Sequence, residues 1–271
     1  MSRTPRWMWA VVNAVAFFLA LTLNGLANAL PLNGMTTGAL SDLYPNLFVP
    51  MGATFSIWAL IYTWLLVFVG YGAWLARSER DHTPLETIGP WFGINMVGNA
   101  TWIVAWHWMV VPASLVLMGV ILMSLLVMYL RLGVGVSAAR AADRWFVHAP
   151  VSIYMGWITV ATIANITTQA VDLGAPAFGQ GPAVLTAGVI GAAVVIASRM
   201  LWARRDFLFT LVVIWALLGI HLKRAASEAA GSGLVADAAL GGLGLLVGGL
   251  LLAAVRAWRD RRRSTEKLTQ T

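Results

Sequence analysis

Asn95, Asn99, Trp102 and Trp106 fall at i, i+4, i+7 and i+11, the spacing that sets side chains on one face of a helix. The segment around them is apolar. In hydrocarbon an unpartnered amide costs several kcal/mol, so such a stripe must look toward other helices or a cavity rather than toward lipid. The chemistry it offers is recognition: indole N–H donors, amide donors and acceptors, and flat apolar rings. Comparable faces recur along the chain, as Asn13, Phe17, Ala20, Asn24 and Asn28, as Phe55, Trp58 and Tyr62, and as Pro150, Tyr154, Trp157, Ala161, Asn165 and Thr168. Asparagine and threonine can simply bond helices together, at about 0.6 to 2 kcal/mol for each bond. Their pairing with aromatic residues on the same faces points instead to a small-molecule pocket. Both readings stay open at this level.

The elements that must position these residues are membrane spans. With 59% hydrophobic and 11% charged residues, and a mean hydropathy of +0.78, the chain reads as an all-α polytopic membrane protein. Apolar blocks predict eight helices, at 8–30, 54–77, 88–110, 112–130, 146–170, 182–202, 206–222 and 234–255. Five form a first block over 1–173, rich in tryptophan and holding the intramembrane asparagines. Three form a second block over 174–256, built from Ala, Gly, Val and Leu. The join lies in a Gly- and Pro-rich stretch from 174 to 182, and a basic tail follows over 257–271. Small residues from Gly244 to Gly248 mark the last span as a packing surface or a homodimer contact. Asn24 and Asn28 stand where a cleavage site would be, so the first span is expected to be retained.

Basic residues alternate between the connections. Arg3 and Arg6, then Arg77 and Arg80, then Arg131, Arg140 and Arg144, then Arg199, Arg204 and Arg205, and finally the tail, predict one side of the membrane. Both termini are therefore expected in the cytoplasm, with the connections after helices one, three and five external. Lys223 and Arg224 break the pattern and can snorkel to the interface. The net charge of +7 is thus a topology signal, with Arg256, Arg259, Arg261, Arg262 and Arg263 set against anionic headgroups of the lipid bilayer. No nucleic acid is expected as a partner, because no groove-reading element accompanies the tail.

The absence of cysteine excludes disulfides, thiol chemistry and iron–sulfur clusters. Asp42, Glu79, Asp81, Glu86, Asp143 and Asp172 all fall in connections, which argues against proton or sodium coupling through the first six spans. Lys223 and Lys267, the two lysines, lie outside the spans, so a retinal Schiff base is excluded. His107 and His148 are expected on opposite faces and cannot share a metal, although either could serve as an axial haem ligand. His82 and His221 are expected to be solvated or interfacial. The Asn99 and Asn165 sequons lie at membrane depth and cannot be glycosylation sites.

The segment FVPMGATFSIWALIY, from Phe48 to Tyr62, resembles the second-helix signature of the tryptophan-rich sensory protein and translocator protein family, TspO/MBR, written W-x-P-P-x-W-x-F-x-x-x-W-x-x-L-Y. Pro50, Phe55, Trp58 and Tyr62 match it. Asn99 with Trp102 resembles the family's L-N-x-x-W, Pro112 resembles the proline that follows, and Pro150, Trp157, Ala161 and Asn165 resemble its fifth-helix run. The resemblance covers about residues 8–172. Phe48, Met51, Ala53 and Val151 depart from the pattern at the pocket mouth, where ligand identity is decided, and the last three helices are absent from short members.

The resemblance implies a five-helix bundle, with about three helices added, that binds porphyrins, sterols or flat synthetic aromatics under a lid. By the resemblance, Trp58 and Asn99 would hold a ligand's polar group; the inward helical faces add Asn165, Trp102, Trp157, Phe55, Tyr62 and Asn95 as expected ligand-binding residues, and the lid would carry Phe48 and Pro50. The connection from 31 to 53 suits a lid, being too long for a turn and too apolar for free solution, with Leu40, Leu43, Tyr44, Leu47, Phe48 and Val49. An interfacial segment with no ligand beneath it is the bland alternative. The expected function is a membrane receptor for porphyrin-like or sterol-like compounds in the bacterial cytoplasmic membrane. No cofactor is expected beyond a porphyrin or haem as ligand. A permease or transport-associated subunit is the first alternative. A tetrapyrrole-modifying enzyme is the second and is disfavoured, since catalysis needs a placed acid, base or metal.

Overall fold

The computed structural model describes residues 6–30, 32–78, 83–174 and 180–269. Arg3, Glu79, Arg80, Asp81, His82 and residues 175–179 lie outside them, as do the side chains of Arg6, Arg261, Arg263 and Lys267. No strand occurs among the described residues. The first long helix, α1, is Arg6–Ala29. A 3₁₀ turn (Leu32–Gly34), the short α2 (Thr37–Asp42) and a second 3₁₀ turn (Gly52–Ser56) lead into α3 (Ile57–Arg77). Next come α4 (Thr83–Ile88), α5 (Trp91–His107) and α6 (Val111–Arg131). One turn, α7 (Ala141–Asp143), passes through a π turn at Arg144–His148 into α8 (Ala149–Asp172). The chain closes with α9 (Gln180–Arg204), α10 (Phe207–Ala225) and α11 (Ser232–Thr269).

Among the described residues, seven helices are long and apolar enough to cross a membrane. The sequence predicts eight, and the difference is α5, which has 17 residues. Gly89 at φ 53° and Pro90 delimit its start, and Met109 at φ 55° turns the chain just past its end. This short helix nevertheless runs beside α1 over the same depth. Gly93 faces the Val12 side chain, Asn99 bonds Asn24, and the His107 carbonyl accepts from Asn33 beyond the end of α1. A second difference is the tail. Nothing after Gly249 breaks a helix, so the region expected as a tail extends α11 to Thr269, and Arg256 stacks over Trp202 at 5.0 Å.

The predicted inward faces are largely buried, but Asn28 is exposed, and Phe55, Trp58, Tyr62 and Ala161 are half-buried. Asn13, Phe17, Ala20 and Asn24 of α1, and Tyr154, Trp157, Asn165 and Thr168 of α8, all have little exposed surface. Apolar residues that stay exposed, such as Val184, Leu185 and Val195 on α9 and Leu245, Leu251 and Leu252 on α11, suit a lipid-facing surface. A single hydrophobic cluster runs from Phe17 through Ile61, Phe92, Met118 and Ile158 to Phe209 and Leu246. It crosses the join between the two predicted blocks.

That seam is close. A Cβ at Gly156 of α8 would meet the Phe209 carbonyl oxygen at 3.1 Å and the Val212 Cβ at 3.0 Å, so α10 packs where only glycine fits. Asp206 then ties α10 to two helices of the first block. It caps α10 by accepting from the Phe209 N–H at 3.0 Å, and it also accepts from the Tyr129 hydroxyl at 2.7 Å and from the Ser152 hydroxyl.

Arg131, Arg140 and Arg204 gather at one end, whereas Arg224 lies at the other beside Lys223. Arg131 lies over Trp91, Arg204 lies over Tyr129 and donates to the Val134 carbonyl, and Arg140 pairs with Asp143, which also accepts from Tyr71. Lys223 lies at the other end, bonded to Asp42 at 2.6 Å. With the short α5 counted as a crossing, reporter fusions at Ser137 and at the C-terminus should report cytoplasm, and fusions at Gly38 and Ala229 the opposite side. A cytoplasmic signal from Gly38 would overturn this topology.

Candidate functional site

Asn99 is fully buried at the centre of the first five long helices. Its Oδ1 accepts from Asn24 Nδ2 at 2.8 Å and from the Tyr62 hydroxyl at 2.9 Å, and its Nδ2 donates to the Tyr154 hydroxyl at 2.8 Å. One amide thus joins α1, α3, α5 and α8. Asn95, four residues earlier, donates to the Ile121 carbonyl and the Ser124 hydroxyl, both at 2.9 Å, and fastens α5 to α6.

Toward the lid the face becomes aromatic. Trp58 stacks on Tyr62 with centroids 5.4 Å apart, and its ring lies 6.4 Å from Trp102, 5.9 Å from Tyr154 and 6.3 Å from Trp157. Trp102 stacks on Trp106 at 6.0 Å, Trp106 meets Tyr44 at 6.2 Å, and Phe55 meets Trp157 edge-on at 5.8 Å. Phe55, Trp58, Trp102, Trp106 and Trp157 line a cavity that also includes Thr37, Ser41, Pro50, Val160, Asn165 and Thr168. Its Asn165 is occupied: Oδ1 accepts from the Ser114 hydroxyl at 2.7 Å and from the Trp102 indole at 3.4 Å, and Nδ2 donates to the Ala161 carbonyl at 3.0 Å. Two other lining groups are buried without a hydrogen-bond partner, the Trp157 Nε1 and the Thr37 Oγ1. Such a donor is costly to leave unmet. The open space is about 40 Å³, far below the roughly 300–1,000 Å³ of ligand pockets, so the cavity is too small for a polycyclic compound in this conformation.

The site expected from sequence therefore divides. Phe55, Trp58, Trp102, Trp157 and Asn165 come together on the cavity, and so does Pro50 of the lid. Asn99, Asn95 and Tyr62 do not line it, because their polar atoms are spent on neighbouring helices, apart from an unpartnered Asn95 Oδ1. Phe48 is buried in the hydrophobic cluster rather than on the cavity wall. The sequence reading missed Thr37 and Ser41, which sit at i and i+4 on α2, a six-residue helix too short to give a periodic signal, and Ser114, whose role appears only from its bond to Asn165.

The connection over 32–53 folds back on the bundle, with Leu40, Leu47, Phe48 and Val49 buried. Leu43 stays exposed. Asn46 Oδ1 organises the turn by accepting from the N–H groups of Phe48 and Val49, and the Trp106 indole donates to the Thr37 carbonyl at 3.3 Å. Burial raises the Tyr44 hydroxyl above its ordinary pKa, and the Asp172 carboxylate adds to the effect, so the phenol stays neutral across physiological pH. The lid is clasped by α10: Met51 N–H donates to the Gly219 carbonyl at 3.1 Å, Trp215 Nε1 donates to the Thr54 carbonyl at 2.9 Å, and Lys223 holds Asp42.

Comparison with family models gives a match to the TSPO-like protein family over residues 10–252. Comparisons with curated proteins and with solved structures give no match.

The two kinds of polar group predict opposite responses. Asn99→Ala strips partners from Asn24, Tyr62 and Tyr154 and should destabilise the fold by at least about 2 kcal/mol, read as a lower melting temperature in detergent. Trp157→Phe removes an N–H that bonds nothing in the protein and should melt closer to the parent. The reverse order would show that the indole, not the amide, holds the bundle.

Proposed function

The chain belongs to the TSPO-like protein family and is a translocator-type integral membrane protein; from that premise we propose that it binds a flat, largely apolar compound of porphyrin-like or sterol-like class in the tryptophan-walled cavity beneath its lid. The observation that carries this reading is the buried Trp157 indole N–H, which has no protein partner and belongs to a wall otherwise made of Phe55, Trp58, Trp102 and Trp106. A ligand offering an acceptor to that donor, and ring surface to those faces, would satisfy both. The Thr37 hydroxyl on the lid side provides a second contact.

The lining offers aromatic faces, hydroxyls, an amide and an indole, groups that hold a ligand rather than transform it. All lining residues fall between Thr37 and Thr168, so we assign binding to the 1–173 region and read α9 to α11 as a brace on the lid. The cytoplasmic membrane is the proposed location, with both termini on the cytoplasmic side. Because the cavity holds only about 40 Å³, entry of a polycyclic ligand requires the lid to lift away from α10.

Titration with a porphyrin, followed by tryptophan quenching, tests the reading. Binding should saturate, and Trp157→Phe should weaken it about 2- to 13-fold through loss of one hydrogen bond. Trp58→Ala should cost more, since it removes a wall. The absence of native cysteine permits a second test. With Asp42→Cys and Lys223→Cys joined by a short bis-maleimide, binding should be slowed or lost while melting stays unchanged or rises. Unaltered quenching in every one of these variants would defeat the proposal.

A further inference from the structure

A second cavity, of about 350 Å³, adjoins the first on the lid side and is lined by Ser41, Asp42, Tyr44, Asn46, Lys223 and Arg224 among others. Ser41 lines both spaces, and Lys223 donates to the carbonyl of Pro50, itself a wall of the tryptophan cavity. The charges here are unevenly used. Asp42 is engaged by Lys223 at 2.6 Å. Arg224 is only 8% exposed, and its Nε is buried with no hydrogen-bond partner. A guanidinium nitrogen buried without a hydrogen-bond partner is costly, the nearby Asp42 carboxylate is bonded to Lys223, and a carboxylate is the partner whose geometry the planar fork matches. The Asn46 and Ser41 side chains and the Tyr44 phenol add neutral polar groups around it. The rim residues Asp42, Ala229 and Ala230 are exposed, so the space is reachable from outside.

We infer that the Arg224 cavity is an anion-recognition site, and that it reads a carboxylate carried on the edge of the ligand whose ring system occupies the tryptophan cavity. This rests on the binding reading above and narrows it to flat apolar acids. The aromatic cavity takes the rings, and the adjoining space takes the charged edge. The guanidinium comes from α10, the helix that also clasps the lid, so an acid seated there would bridge lid and brace.

The test compares a porphyrin dicarboxylic acid with its dimethyl ester on the full chain in neutral detergent. The acid should bind about ten- to a hundredfold more tightly than the ester, the scale of a charge-assisted hydrogen bond. Arg224→Gln should erase that preference while leaving ester affinity unchanged. Arg224→Lys, which keeps the cation but not the fork, should retain part of the preference and serves if the glutamine variant does not fold. Equal affinity for acid and ester in the parent overturns the inference and leaves the aromatic reading standing. If neither porphyrin binds, the aromatic reading falls and benzoate alone decides the anion site: a raised melting temperature in the parent but not in Arg224→Gln supports it, and no shift in the parent overturns it. Inorganic phosphate at matched ionic strength is the control for a headgroup-like source. Stabilisation by phosphate as large as that by benzoate overturns the assignment to a carboxylate.

Discussion

Hydrocarbon supplies no water to meet a stray donor or acceptor, so a polar atom inside this bundle is either bonded to another helix or left at a cost. Most of the structure follows from how that constraint is met. Asn99 closes bonds to Asn24, Tyr62 and Tyr154, Asn95 reaches α6, and Asn165 takes Ser114 and Trp102. These bonds fix the relative heights and rotations of α1, α3, α5, α6 and α8, which in turn decide where the tryptophan rings meet. Against such thorough pairing, the unmet atoms stand out by position. Trp157 Nε1, Thr37 Oγ1 and Arg224 line the two adjoining cavities beneath and beside the lid. The unpartnered atoms of Asn13, Asn95, His107 and Gln169 line neither.

The last three long helices share the same logic at the opposite end. Asp206 would be a buried charge with no purpose were it not the common acceptor of Tyr129, Ser152 and the first turn of α10. It anchors α10 at the arginine-rich end. Gly219, Trp215 and Lys223 then fasten the other end of the same helix to the lid. A helix held at both ends transmits position, so the second block is mechanically joined to the mouth of the pocket, although it lends no side chain to the tryptophan wall.

Much of this was legible in the sequence because lipid makes periodicity informative. Apolar length located the helices, and the inward faces of α1, as far as Asn24, and of α8 are largely buried as their spacing requires, while Asn28 at the end of α1 is exposed. What periodicity could not supply was the use made of each inward atom. Asn99 and Asn165 look alike as letters, but only Asn165 reaches the cavity. Thr37 and Ser41 share a face of α2, but that helix has only six residues, so its periodicity is too brief to read and its place depends on tertiary folding. Asp206 falls at the very start of a span, where a charge reads as interfacial until its partners on α6 and α8 are known. The helical run to Thr269 was hidden because its charge pattern reads equally well as a solvated tail.

The small volume of the cavity bears on how strongly any occupant is held at equilibrium. When a binding-competent form is populated only part of the time, the apparent dissociation constant equals the intrinsic one divided by the competent fraction. With one molecule in a hundred open, apparent affinity would be about a hundredfold weaker than that of a permanently open form. On the proposed reading, each bond from α10 to the lid would therefore enter the apparent affinity through the closed population, without touching the occupant. Gly219 is the sharpest case, because its missing side chain is what lets Pro50 and Thr54 settle so near the helix axis. On the proposed binding reading, the strength of capture depends as much on the stability of the empty form as on the contacts of the filled one.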